Sequence, residues 1–356
     1  MKYTEHSIKN SPYKNGQGDI VREVEQACRR GGIKFGFYLS PWDRNSKYYG
    51  TPEYNTYYKN QLTELLTEYG EIFEVWFDGA CGEGPNGRKQ EYDFEGYIEL
   101  IRKYQPKAVI FNGPDVRWCG NEAGSARNAE WAVVPSELCL LNHEVQTKGP
   151  LMEGTLEGIE PPDLNIGALS NIMYSKGLVF CGSEIDMSIR PGWFYHPEEE
   201  PHSLDRLFTT YLNSVGANTC FILNVPPMPN GRFDPQDVER LKGWAISCDS
   251  FSHDWMLEEV SQTNTSLSDT QCQVEIKLPE AKQIGYVVLM ENIENGQRVE
   301  NFQIRYRDAD GVWQKAYDGT CIGHKKICPV NFTASEIRIH VTAARDAVEW
   351  RQIALY

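Results

Sequence analysis

Between residues 19 and 230, the apolar positions of the chain follow two alternating patterns. Segments with an apolar residue every three or four positions predict helices, and short continuous apolar runs predict strands buried on both faces of a sheet. The predicted helices are 19–30, 54–69, 94–104 and 204–214, and the predicted strands are 33–39, 72–77, 108–111, 131–134, 178–181 and 219–225. This alternation predicts a parallel sheet, with a TIM-like barrel as its natural closure. Six strands are two fewer than the eight of a complete (β/α)8 barrel.

The pattern changes near residue 250, after a predicted helix at 234–247. Apolar and polar residues now alternate in short runs, which is typical of strands with one buried face. These runs are 273–278, 284–289, 303–306, 336–341 and 350–355. Glycine and Asn/Asp turns separate them at intervals typical of a β-sandwich. We therefore expect two domains, an incomplete TIM-barrel domain at 1–250 and a C-terminal all-β sandwich at 257–356.

Charge and hydropathy exclude several classes of partner. The formal charge of −15 argues against a surface for nucleic acid or for an anionic membrane. No apolar run approaches the about 18 residues that a membrane-spanning helix needs. The first nineteen residues also lack the apolar segment of a signal peptide.

Metal and cofactor motifs are missing from the sequence. The ten cysteines are scattered singly, with no CxxC pair and no Cys/His cluster, so no metal site is expected. The segment 82–87 formally matches G-x-G-x-x-G, but it contains a proline and no helix is predicted to begin there. We therefore expect no dinucleotide and no other cofactor. The cysteine pattern fits a reducing compartment or an incidental count better than a disulfide scaffold.

The segment Ile72–Cys81, which reads IFEVWFDGAC, holds the first candidate for chemistry. Its apolar run ends on Asp78, which is followed at once by a glycine. In parallel sheets the carboxyl ends of the strands carry the active site, so Asp78 is expected to point into its mouth. The alternative is that Asp78 and Gly79 form the turn of a hairpin.

A second acid, Glu122, lies in a polar and aromatic cluster after the predicted strand 108–111. Adjacent barrel strands bring their C-terminal loops side by side, so Asp78 and Glu122 can face one cavity. Two carboxylates that flank a glycosidic bond are the minimum for glycoside hydrolysis. The competing explanation is chance, because a chain with 50 acidic residues always places some pair on neighbouring loops.

Five segments in the same order resemble family 29 of the glycoside hydrolases, the α-L-fucosidases. They are FGFYLSPWD at 35–43, VWFDGA at 75–80, RWCGNE at 117–122, SIRPGWFY at 188–195 and LNVPP at 223–227. The resemblance runs from Asp19 to the end of the chain. Its RWCGNE segment resembles the subgroup that prefers α-1,3/1,4-linked fucose.

The resemblance implies a retaining reaction on terminal α-L-fucose of a fucosylated oligosaccharide or glycoconjugate. Asp78 matches the nucleophile, which would form a covalent fucosyl-enzyme intermediate, and Glu122 matches the acid/base residue. Trp76 matches a sugar-contacting tryptophan, with a core tryptophan as the alternative.

The remaining residues implied to bind substrate lie in three of the same segments. They are Tyr38, Trp42, Arg117 and Trp193. The C-terminal sandwich is implied to be supportive rather than catalytic.

The resemblance also implies that the barrel is incomplete at its N-terminus. Residues 1–7 resemble the loop that leaves the family's second barrel strand, so two strand units and their fucose-binding histidines would be missing. Either the start lies inside a longer sequence or the chain is a remnant of a degraded gene. Full-length relatives are expected to be periplasmic or secreted, whereas the location of this chain is not predicted. A carbohydrate-binding remnant and a fragment without function are the two alternatives to an enzyme.

Overall fold

A computed structural model describes residues 2–136, 165–173, 175–249, 251 and 261–356. Its contacts divide the chain into two compact units. The first contains Met1–Arg117 with Ser136–Glu157, and the second contains Trp118–Pro135 with Gly158–Tyr356. The two domains expected from the sequence, 1–250 and 257–356, divide the chain differently and stay a prediction.

Within its described residues, the first unit holds three helices, which agree with the predicted ones to within two residues. They are α1 (Ile20–Arg30), α2 (Glu53–Glu68) and α3 (Phe94–Tyr104). The Asp19 carboxylate accepts the backbone N–H of Arg22 at 3.0 Å and so caps α1. Two short 3₁₀ turns, Ile8–Asn10 and Tyr13–Gly16, precede α1.

The strands of this unit are shorter than the predicted ones and run parallel. They are β1 (Phe37–Tyr38), β2 (Glu74–Trp76), β3 (Val109–Phe111) and β4 (Val116–Trp118), whose last residue is assigned to the second unit. In register, Tyr38 lies beside Trp76, and Trp76 lies beside Phe111. The C-terminal ends of β1, β2 and β3 therefore lie at one edge of the sheet.

The two faces of β2 differ in burial. Val75 and Phe77 are 1% and 0% exposed and pack in a core that includes residues of α2 and α3. Glu74 and Trp76, on the opposite face, are only half-buried. The expectation that this strand is buried on both faces is therefore wrong for one of them. Asp78, two residues after Trp76, lies on this less buried face, which we call the open face.

The described part of the second unit holds two further parallel strands and three helices. The strands are β7 (Gly182–Ser188) and β8 (Thr219–Asn224), and the helices are α4 (Leu169–Ile172), α5 (Leu204–Asn213) and α6 (Pro235–Asp249). Two short strands, β5 (Val133–Pro135) and β6 (Leu178–Phe180), form a separate antiparallel pair. The parallel sheet has the strand order β1-β2-β3-β4-β7-β8.

The sheet thus has six strands, as predicted, but two of them are not those expected. The predicted strands 131–134 and 178–181 correspond to β5 and β6, which lie outside the parallel sheet. Their places are taken by β4 and β7, whose residues alternate between polar and apolar. An apolar run marks a strand buried on both faces, whereas β4 and β7 each place polar groups on one face.

The C-terminal region forms antiparallel strands around its own core. They are β9 (Ser261–Ser268), β10 (Gln271–Glu291), β11 (Val299–Arg307), β12 (Trp313–Gly319), β13 (Lys326–Ala344) and β14 (Trp350–Leu355). The predicted strands 273–278 and 284–289 are two parts of β10, which changes register between Lys277 and Lys282. The strand order is β12-β11-β13-β10-β14, with β9 paired to β10. Within the described ranges, no helix is long and apolar enough to cross a bilayer.

Candidate active site

Asp78 lies in the loop that follows β2, and both of its carboxylate oxygens accept a hydrogen bond. The Tyr38 hydroxyl donates to Oδ2 at 2.7 Å, and the backbone N–H of Ala80 donates to Oδ1 at 2.8 Å. Because β2 and β3 are parallel, Asp78 and Gly79 do not form the turn of a hairpin. The alternative explanation of this aspartate is therefore wrong.

Tyr38, at the end of β1, is the side chain that holds Asp78. Its side chain is half exposed, and burial of the other half raises the pKa of the phenol above its ordinary range. The nearby Asp78 carboxylate raises this pKa further. The hydroxyl therefore remains protonated, and remains a donor to Asp78, throughout the neutral pH range.

Three aromatic rings lie on the same face of the sheet as Asp78, and of these Phe111 is buried, Trp76 is half-buried and Tyr38 is half exposed. The indole of Trp76 stacks on Phe111 with a centroid distance of 4.3 Å and an interplanar angle of 8°. Tyr38 meets the same indole edge-on at 5.4 Å. Trp76 therefore lies on the Asp78 face and not in the core against the helices. Aromatic faces of this kind suit the apolar faces of sugar rings.

The loop from Gly79 to Tyr92 is tied down by two tyrosine hydroxyls that sequence reasoning did not single out. Tyr49 donates to the carbonyl of Gly82 at 3.0 Å, and Tyr92 donates to the carbonyl of Ala80 at 2.9 Å. The indole of Trp42 packs so closely on Gly82 that a Cβ there would overlap the ring. Trp42 is thus fixed at this loop, although its role in binding a substrate stays a prediction.

Glu122 belongs to the second unit and lies in a turn after β4. Its side chain is exposed, and its Oε2 accepts the indole N–H of Trp193 at 3.1 Å. The neighbouring Asn121 side chain closes the turn, because it accepts the backbone N–H of Ala123 and donates to the carbonyl of Ser125. The structure therefore brings together two residues, Glu122 and Trp193, that lie 71 positions apart in the sequence.

The sequence analysis missed Asp186, which lies on β7 and is 6% exposed. Its Oδ1 accepts the indole N–H of Trp118, which is 36% exposed, at 2.7 Å. The neighbours Ile185 and Met187 point to the other face, where Met187 packs with a residue of α5. The polar–apolar alternation of 182–188 was the signal that could have identified this strand.

Arg117 and Trp118 lie on opposite faces of β4. Arg117 is 4% exposed, so the structure places this expected substrate-binding residue in a buried position. Its contribution to binding stays a prediction.

The segment that follows Glu122 is held by loops between the C-terminal strands of the same unit. The side chain of Gln297 accepts the N–H of Ala132 at 2.8 Å, and Thr320 donates to the carbonyl of Asn128 at 3.0 Å. The thiol of Cys321 donates to the carbonyl of Glu130 at 3.2 Å. The supportive role implied for the C-terminal sandwich stays a prediction.

The expected site residues are thus divided between the two units. Tyr38, Trp42, Trp76, Asp78 and Arg117 lie in the first unit, and Glu122 and Trp193 lie in the second. The pairing of Asp78 with Glu122 therefore stays a prediction. The described residues contain no group of three or more His, Cys, Asp or Glu side chains arranged to hold a metal ion.

A fixed carboxylate beside aromatic rings, at the C-terminal ends of parallel strands, is typical of enzymes that act on carbohydrates. Comparison with known proteins agrees with this class. The sequence model of the α-L-fucosidase family matches residues 2–138. Alpha-L-fucosidase 1 of Arabidopsis thaliana is 36% identical over 356 residues, which cover 92% of this chain and 66% of that protein.

Solved structures lead to the same family. The crystal structure of SpGH29 is 33% identical, with a TM-score of 0.85, and the match covers 100% of this chain and 81% of that one. A Ruminococcus gnavus GH29 fucosidase in complex with fucose is 28% identical, with a TM-score of 0.84, covering 100% and 79%. The chain belongs to the α-L-fucosidase family of glycoside hydrolases, family 29. It spans slightly less than two thirds of the length of the curated relatives that it matches, 66% and 64%.

Proposed function

We propose that this protein is an α-L-fucosidase that releases terminal α-L-fucose with retention of configuration. The observation that carries the proposal is the Asp78 carboxylate, fixed by Tyr38 and Ala80 beside the Trp76 ring. The substrate would be a fucosylated oligosaccharide or glycoconjugate, because a relative with the same fold binds fucose. Within this class we favour α-1,3/1,4 linkages, from the RWCGNE segment that ends at Glu122.

In the first chemical step, an oxygen of Asp78 attacks the anomeric carbon of fucose. The bond from this carbon to the leaving oxygen breaks, and Glu122 gives that oxygen its proton. The product is a β-linked fucosyl ester of Asp78. In the second step, Glu122 takes a proton from water, whose oxygen displaces Asp78 and restores the α configuration.

The two hydrogen bonds to Asp78 orient the attacking carboxylate. Each oxygen has one donor, from Tyr38 or from Ala80, so each retains lone-pair capacity. Holding a nucleophile in its reactive geometry lowers the entropic part of the barrier. Retention further requires Asp78 and Glu122 to lie about 5–5.5 Å apart.

The alternative function is binding of fucosylated sugars without turnover. The half-exposed ring of Tyr38 and the half-buried indole of Trp76 favour it, because ring stacking alone provides affinity for a sugar.

The decisive experiment replaces Asp78 by glycine and measures hydrolysis of an aryl α-L-fucoside. Asp78→Gly should lower turnover by several orders of magnitude, and azide should restore part of the rate and yield β-fucosyl azide, of inverted configuration. The matched control is Asp269→Gly, at an exposed turn of the C-terminal region. It should keep the full rate and give no fucosyl azide.

Other outcomes separate the alternatives. Normal turnover by Asp78→Gly would contradict the assignment of the nucleophile. If the unaltered chain binds a fucosylated oligosaccharide in an NMR titration but turns over no fucoside, the binding function is supported instead. Absence of both binding and turnover would contradict both functions.

A further inference from the structure

The loop that carries Trp193 is built around the buried guanidinium of Arg190, which pairs with Asp237 and also, through Nη2 at 3.5 Å, with Asp234. Arg190 is 2% exposed, and Asp237, at the start of α6, is fully buried. The Nε of Arg190 lies 3.0 Å from each carboxylate oxygen of Asp237. Burying two charges costs desolvation free energy, and removing one partner of a buried pair strongly destabilises a protein. We therefore expect Arg190 and Asp237 to matter for the structure around them.

The rest of the Arg190 guanidinium holds the loop itself. One Nη1 N–H donates to the carbonyl of His196 at 3.3 Å, and Nη1 also donates to the carbonyl of Glu199. The guanidinium carbon lies 5.0 Å from the centroid of the Tyr195 ring. The Tyr195 hydroxyl in turn donates to Asp234, which lies just before α6.

The other end of the loop is tied to β8. The side-chain amide of Asn224 donates to the carbonyl of Trp193 and to the hydroxyl of Ser188, both at 3.0 Å. Ser188 donates to the carbonyl of Gly192 at 2.8 Å. The backbone on both sides of Trp193 is therefore fixed, and the single polar contact of its indole is the N–H bond to Glu122.

We infer that Arg190, through its pair with Asp237, is a positioning residue for Glu122. Arg190 fixes the loop, the loop fixes the Trp193 indole, and the indole holds the carboxylate that serves as acid/base. The inference rests on the proposed function for the role of Glu122. A lysine in place of Arg190 keeps the charge but cannot bond both Asp237 and two carbonyls in one plane.

The test measures the contact between Trp193 and Glu122 directly and requires no turnover. With ¹⁵N-labelled tryptophan, the nine indole N–H groups give separate NMR signals, and Trp193→Phe identifies the one of interest. Glu122→Gln should shift that signal, because the acceptor changes from a carboxylate to an amide. When Glu122→Gln is introduced into the Arg190→Lys or the Asp237→Asn variant, the shift of the Trp193 signal should be less than half of the shift that it causes in the otherwise unaltered chain.

Two controls separate positioning from a general loss of stability. Arg345→Lys weakens a largely buried Arg–Glu pair in the C-terminal region, where Nε lies 3.0 Å from Glu300, and should leave the shift unchanged. The Trp244 indole, which donates to the carbonyl of Leu207, serves as an internal reference that should not move. Asp237→Asn retains the Arg190 bonds to the two carbonyls, so it carries the test if Arg190→Lys does not fold.

A full shift in both the Arg190→Lys and Asp237→Asn backgrounds would overturn the inference, because the pair would then be structural only. An unmoved Trp193 signal on Glu122→Gln in the otherwise unaltered chain would also overturn it. The Glu122→Gln shift could fall in these backgrounds although the unaltered chain hydrolyses no fucoside. That result would support Arg190 as a positioning residue and would contradict the proposed function.

Discussion

Replacement of Glu291 by glutamine should destabilise the C-terminal region markedly, although the two side chains have the same shape. Glu291, at the end of β10, is 2% exposed. Its Oε1 accepts the N–H groups of Arg298 and Val299 at 2.9 and 3.0 Å, and its Oε2 accepts that of Gly323 at 2.7 Å. One carboxylate thus joins two loops that approach from different strands.

The magnitude follows from counting these bonds. Glutamine presents an NH₂ group to one side, so one buried N–H loses its acceptor, at a cost of about 1–3 kcal/mol. Bonds to a charged group are stronger than neutral ones by about 1 kcal/mol, so the two that remain are weakened as well. The variant buries no charge, which offsets part of the loss. We expect a net loss of about 2–3 kcal/mol.

The same site predicts a pH dependence. Burial raises the pKa of Glu291 above its ordinary value of 4.5, although the three N–H donors oppose this shift. Between pH 4.5 and the raised pKa, the folded state keeps a proton that the unfolded state has released. Stability linked to this group is therefore complete below 4.5 and is lost as the pH rises through the raised pKa. The Glu291→Gln variant should lack this component.

The assay is urea-dependent hydrogen exchange of peptides that cover 291–323, read by mass spectrometry. Glu275→Gln is the matched control, because Glu275 lies on the same strand but pairs with Arg338 in a partly exposed position. Such pairs contribute about 0–1 kcal/mol. A loss for Glu291→Gln no larger than that for Glu275→Gln would refute the reasoning, as would identical pH profiles of the variant and the unaltered chain.

Three further changes test the first unit. Gly82→Ala should displace the Trp42 indole, which a Cβ would overlap, and should shift the Trp42 signal among the ¹⁵N-labelled indoles without unfolding the unit. The Tyr38 phenol should remain protonated at pH 10.0, the ordinary pKa of tyrosine, because its own pKa is raised. NMR spectra of ¹³Cζ-labelled tyrosine measure this, with Tyr38→Phe to assign the signal, and half ionisation of Tyr38 at pH 10.0 would contradict the raised pKa. Phe77→Ala, at a side chain that is fully buried, should cost about 3–5 kcal/mol in urea denaturation, and a cost under about 1 kcal/mol would show that this face is not core.

The sequence by itself determined the helices and the identity of the chemical groups. The 3.6-residue periodicity and the capping aspartates of α1 and α3 are local, so both boundaries could be predicted closely. The five motif segments indicated the family, and Asp78 could be selected because an apolar run ends on it. Each helix pattern, and each motif segment taken singly, lies within about twenty consecutive residues.

The tertiary structure decided which strands form the sheet and which groups meet. The strand β7 lies in the sheet although it carries Asp186 on one face, and Trp118, 68 positions away, donates to that carboxylate. The bond between Tyr38 and Asp78 joins residues 40 positions apart, and that between Arg190 and Asp237 spans 47. Local sequence patterns cannot predict such contacts. The contacts form only when packing brings distant segments together and a buried polar group requires a hydrogen-bond partner.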